Sequence, residues 1–174
     1  MDSPVIWGRS IRCLHWMIAG GLVLNGFVLE PGDPPHKWMG YGLVGLVICR
    51  LILGCVGKSH GAFVQWPITA SEIRRFAHTQ RHGMTIDYPG HNPLACYVYL
   101  SIWLLVLLQG VSGWLMGLDA FWGEEWLQEA HGWSARMLLG LALLHLLGMG
   151  MDAHRFKRAT WMAMITGRRS SKTS

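Results

Sequence analysis

AHGWSARMLLGLALLH, residues 130–145, places His131 and His145 fourteen positions apart in a mostly apolar run. At roughly 100° per residue, that spacing brings a helix back to within about 40° of its starting direction, so both imidazoles share one face. The same spacing separates them by ~21 Å along the axis, most of the ~30 Å hydrocarbon thickness of a bilayer. One helix can therefore hold a cofactor near each membrane surface, provided the rest of the chain supplies a lipid-soluble bundle and a second ligand at each depth.

The composition meets the first condition. Of 174 residues, 51% are hydrophobic and 14% charged, with a mean hydropathy of +0.27; a soluble domain carries about 25% charged residues. The length suits one domain over 1–174. The first apolar run is broken by Asn25 and ends in Glu30-Pro31-Gly32-Asp33-Pro34-Pro35 without a small-residue cleavage pattern, so it is expected to stay attached as a span. Cys13, Cys49, Cys55 and Cys96 form neither CxxC nor CxxCH. A zinc ribbon and a covalently attached c-type haem are not suggested, and free thiols are expected.

Outward from the quoted stretch, the apolar segments predict an all-α membrane protein. It is a four-transmembrane-helix bundle with spans at about 13–29, 38–56, 93–115 and 132–151. Gly40, Gly42 and Gly45 in the second span let helix backbones or a flat ring approach closely. The polar loop 57–92 carries Lys58, Arg74, Arg75 and Arg81 with His60, His78, His82 and His91. Within it, Thr69 and Glu72 fit a capping box, which predicts a short interfacial helix over 70–80 lying against anionic lipid headgroups. Asn92 as N-cap and Pro93 as N1 open the third span. The tail, 152–174, is basic through Arg155, Lys157, Arg158, Arg168, Arg169 and Lys172.

Lysine and arginine set the orientation. They gather at the N-terminus, in the 57–92 loop and in the tail; only Lys37 lies in the opposite loops, while Arg50 and Arg136 fall inside spans. The positive-inside rule makes both termini and the long loop cytoplasmic. Glu30, Asp33, Asp119, Glu124, Glu125 and Glu129 then face outward. The basic residues flank the spans and point to membrane lipid, and no nucleic-acid partner is implied.

With four spans alternating in direction, each histidine has a depth. His15 and His145 form an inner layer, and His36 and His131, at the outer ends of the second and fourth spans, form an outer one. A single interfacial histidine is usually a surface or packing residue, but His15 and His145 lie in apolar runs where ionisable groups are costly and functional. Four histidines in two depth-matched pairs suit haem b, whose iron takes two neutral imidazoles and moves electrons without opening a site for O₂. Arg12, three residues before His15, Arg50, fourteen after His36, and Arg136, five after His131, are candidates to neutralise haem propionates. A di-metal carboxylate site is poorly supported, because no span holds Glu-x-x-His. The spans lack the internal carboxylates of a proton pump or channel.

Arg12-Cys-Leu-His15-Trp16, the His36 to Arg50 spacing, Gly90-His-Asn-Pro93, the His131 to His145 spacing and Ala163-Met-Ile-Thr-Gly167 together resemble the bacterial cytochrome b561 family. Within it the chain is similar to small di-haem membrane cytochromes b, which include hydrogenase-type cytochrome b subunits. The resemblance covers nearly the whole chain. It implies two haems b, His15 pairing with His145 and His36 with His131. His36 departs from a secure pattern by following Pro34-Pro35 at the very start of its helix, and hydrogenase cytochromes commonly have an additional span and longer loops.

The leading expectation is electron transfer across a bacterial inner membrane between the quinone pool, ubiquinone or menaquinone, and a periplasmic redox protein such as a c-type cytochrome. His91 and Asn92, with the basic 74–82 segment, are candidates to hydrogen-bond quinone near the inner haem; alternatively they simply cap the third helix. The second expectation is a superoxide oxidase, superoxide:quinone oxidoreductase, as the family resemblance also implies. An acidic outer face repels an anion and favours a cationic protein partner. The third is a non-redox membrane anchor. The sequence is compatible with a homodimer.

Overall fold

A computed structural model describes residues 5–57, 61–84, 86–88 and 90–168; Lys58, His60, Arg169 and Lys172 lie outside the described residues. Helices dominate: α1 Arg9–Phe27, α2 Pro34–Val56, α3 Ala70–Arg81, α4 Pro93–Leu115, α5 Glu125–Phe156 and the single turn α6 Ala163–Thr166. Helices α2, α4 and α5 are each long and apolar enough to cross a membrane. Helix α1, 19 residues with Arg9, Arg12 and Asn25 in it, is the shortest of the four long helices.

Two helix starts follow from local chemistry. The Thr69 side chain accepts the Glu72 N–H at 3.4 Å, opening α3, and Asn92 Oδ1 accepts the Ala95 N–H at 2.8 Å, opening α4 behind Pro93. The fourth span needs correction. In place of about 132–151, α5 begins at Glu125 and runs 32 residues. Gly123, at φ +79°, turns the chain, after which no glycine or proline interrupts until Gly132 and the Glu125 and Glu129 carboxylates sit favourably in the positive N-terminal turns. His131 is thus inside the helix, nearly two turns from its start. The second span also begins earlier, at Pro34, because prolines need no intrahelical partner for the missing N–H in a first turn. His36 lies in that turn.

Helix α4 packs closely on both α2 and α5, and α1 packs on α2. Ile18, Leu43, Val47 and Val106, from α1, α2 and α4, form a small buried core. Close approach depends on Gly21, where a Cβ would meet Leu43 of α2, and on Gly110, where it would meet Val44. Of the two readings of Gly40, Gly42 and Gly45, this corrects helix packing and leaves room for a flat ring. A Cβ at Gly42 or Gly45 would meet nothing within 4 Å, and at Gly40 only Asn25 at 3.8 Å. Helix α5 is not among the close neighbours of α1 or α2. It leaves a gap on the side where both helices carry a histidine.

At the basic end of the bundle the tail folds back. The Gly167 carbonyl accepts the N–H groups of Ile6 and Trp7 at 2.8 and 3.2 Å, and Trp16 Nε1 donates to the Met164 carbonyl at 3.0 Å. Arg158 pairs with both carboxylate oxygens of Asp87 at 2.6 and 2.9 Å, tying the end of α5 to the loop before α4.

Candidate functional site

Two histidines of α5, His131 and His145, each face another across the gap. His145 and His15 of α1 have ring centres 6.3 Å apart with planes at 70°; His131 and His36 of α2 have theirs 6.5 Å apart at 61°. A metal held between two imidazole nitrogens at about 2.0–2.1 Å, with about 1.1 Å more from each nitrogen to its ring centre, sets the centres roughly 6.3 Å apart. Both separations match. Among the described residues no three His, Cys, Asp or Glu side chains gather; each pair could supply two nitrogen ligands to a bound metal. The gap is a continuous cavity of about 2130 Å³ that includes all four histidines in its wall. Ordinary ligand pockets span about 300–1,000 Å³, so the space suits more than one large group.

At its basic end the cavity is lined by Arg50, and unpaired donors of Trp66 and Arg12 lie buried outside its lining. Arg50 is only 6% exposed. Its Nη2 donates to the Gly61 carbonyl at 2.9 Å, and its guanidinium lies 4.9 Å from the Trp103 ring centre and 5.7 Å from that of Phe63. Its Nη1 is buried without a partner, and so is Nε1 of Trp66, whose ring lies beside the same Phe63 and Trp103. Arg12 donates to the Ile165 carbonyl and keeps a buried, unpaired Nε. A buried cation without an anion is unfavourable by several kcal/mol, so a carboxylate from a bound haem fits this set. Arg136 also lines the cavity, where it is exposed and stacks on Trp133 at 4.7 Å.

His91 and Asn92 also reach the cavity. The Asn92 oxygen is committed to capping α4. His91 is wedged between Trp7, Tyr99 and Trp66, with ring centres at 4.6, 4.5 and 5.5 Å. Burial, helped by the Arg50 cation, pulls its imidazole down to about 3. The unfolded chain takes up that proton near its ordinary value of 6.5, so this group's contribution to stability is present above about 6.5 and lost as pH falls towards 3. Thermal unfolding in detergent at pH 7.5 and 4.5 is expected to show a smaller acid loss for His91→Phe than for the wild type; equal losses would mean that His91 is not held neutral.

Four residues were not singled out by the histidine pattern. Ser112 and Gln109 of α4 hold His131: the Ser112 hydroxyl lies 2.8 Å from Nδ1, and Gln109 Nε2 donates to the His131 carbonyl at 2.9 Å. Tyr99 has its ring centre 5.2 Å from that of His145, and Trp66 lies beside His91. The available signal was Gln109 and Ser112 themselves, two polar residues at i, i+3 on one face of an apolar span.

A family model described as prokaryotic cytochrome b561 matches residues 6–167. No curated protein and no solved structure matches the chain.

Proposed function

The chain belongs to the prokaryotic cytochrome b561 family, whose members carry out haem b electron transfer in membranes, and on that premise we propose a two-haem relay between quinone and a periplasmic redox protein. The observation that carries it is the pair of imidazole couples, 6.3 and 6.5 Å between centres, at the two ends of one helix. In this reading α1 is a fourth span, with Arg9 snorkelling to the cytoplasmic surface of a bacterial inner membrane. Bound haem b supplies a one-electron Fe(III)/Fe(II) couple at each layer.

His15 and His145 hold the inner group, and His36 and His131 the outer one. Arg50, which lines the cavity, would neutralise a carboxylate at the inner layer, and Arg12 is the second candidate there. Arg136, which lines the cavity and stacks on Trp133, is the candidate for that task nearest the outer layer. Quinone approaches from the inner end, where His91, neutral at physiological pH, offers a hydrogen-bonding group beside the cavity. Exposed Glu30, Asp33, Asp119, Glu124, Glu125 and Glu129 gather at the end that holds His36 and His131. That field attracts a basic c-type cytochrome and repels superoxide.

Haem quantification by pyridine haemochrome, joined to stopped-flow kinetics, tests the reading. Two haems b per chain are expected, with electron exchange to a basic cytochrome that slows as ionic strength rises. Haem reduction by superoxide near the diffusion limit would instead make the protein a superoxide oxidase. Purified protein without a haem b α-band would make it an anchor.

A further inference from the structure

The Ser112 hydroxyl oxygen lies 2.7 Å from the Leu108 carbonyl oxygen, 3.2 Å from that of Gln109 and 2.8 Å from His131 Nδ1. A carbonyl oxygen only accepts, and a hydroxyl has one proton. Two oxygens at 2.7 Å need that proton between them, so it is committed to the turn of α4 behind Ser112. The contact with His131 is then made by the imidazole: Nδ1–H donates to a free lone pair of the hydroxyl. This puts the ring's remaining lone pair on Nε2, the nitrogen left to bind a metal. Gln109 Nε2 adds a second tie, reaching both the His131 carbonyl and the Ser134 hydroxyl at 2.9 and 3.1 Å.

The other three imidazoles are held differently. His36 Nδ1, across the gap from His131, is buried without a partner. His15 and His145 meet aromatic rings, Trp16 and Tyr99, each with centres 5.2 Å away. The hydrogen-bonded ring nitrogen at His131 thus makes the two layers unequal.

We propose that Ser112 is a positioning residue for the outer haem, fixing the His131 tautomer and lowering that haem's reduction potential. This rests on the two-haem reading above. By accepting the Nδ1–H bond, the hydroxyl makes Nε2 a stronger electron donor, which favours Fe(III) over Fe(II) in the one-electron couple. The bias sends a shared electron from the outer layer towards the inner one.

Redox titration of haem-loaded Ser112→Ala and Ser112→Thr, followed optically with a pyridine haemochrome count, tests this. In Ser112→Ala one of two potentials should rise, so that at fixed ambient potential the ratio of reduced to oxidised outer haem increases severalfold; the other potential stays put. Ser112→Thr keeps the hydroxyl and should restore the wild-type value. Loss of one haem in the alanine variant with its retention in the threonine variant would also support positioning. Unchanged potentials with two haems present, or equal changes in both variants, would overturn the role of Ser112. A wild-type chain with fewer than two haems would instead overturn the two-haem reading, and this role with it.

Discussion

His131→Ala is expected to purify with one haem b in place of two, the remaining one keeping the spectrum and potential of the inner layer. The physical reason is distance along a single helix. His131 and His145 are separated by ~21 Å of α5, and His145 faces His15 independently of what happens at the other end. Helix α5 is held by close packing on α4, which an alanine leaves in place. Losing the imidazole removes one axial ligand and leaves His36 alone, without even a partner for its buried Nδ1. The matching His145→Ala variant should lose the inner haem and keep the outer. Pyridine haemochrome counts with low-temperature spectra of both variants check this. Loss of both haems in either variant, with the protein still monodisperse in detergent, would sink the assignment of two independent layers.

The second large effect is expected at Arg50. Arg50→Met keeps a long side chain between the rings of Phe63 and Trp103 while removing the charge. Removing one partner of a buried ion pair costs about 3–5 kcal/mol, so the inner haem should bind upward of roughly 100-fold more weakly. Its potential should also fall, because a nearby cation favours the reduced, less positive iron. Without haem the variant should be no less stable than the wild type, since a buried charge with an unpaired Nη1 no longer has to be accommodated. Haem titration into the apo forms and differential scanning measure the two halves. Full retention of haem at an unchanged potential would reduce Arg50 to a tie between α2 and the Gly61 carbonyl.

Much of this was legible in the residues because it is local. A 3.6-residue period decides which side chains of one helix share a face, so the fourteen-residue interval in α5 could be read directly. Capping is local too: Thr69 and Asn92 reach only three residues ahead. The start of α5 was misjudged because the acidic run before His131 looked like loop, whereas carboxylates stabilise a helix N-terminus. The packing glycines were misjudged for another reason. Gly40, Gly42 and Gly45 are conspicuous in sequence, yet close approach belongs to Gly21 and Gly110, whose neighbours Leu43 and Val44 come from α2.

The sequence by itself determined where the apolar helices fall, the charge asymmetry between their ends and the spacing of the histidines along them, since all of these follow from period, composition and position along one axis. Only the tertiary structure decided what meets across helices: that α5 stands away from α1 and α2 around a cavity, that Arg50 enters an aromatic cage while Arg136 turns to Trp133, and that Ser112 of α4 holds His131 of α5. Those choices depend on how each helix is rotated and spaced against its neighbours. Small residues and ridge packing on the partner set that rotation, and no helix encodes it alone.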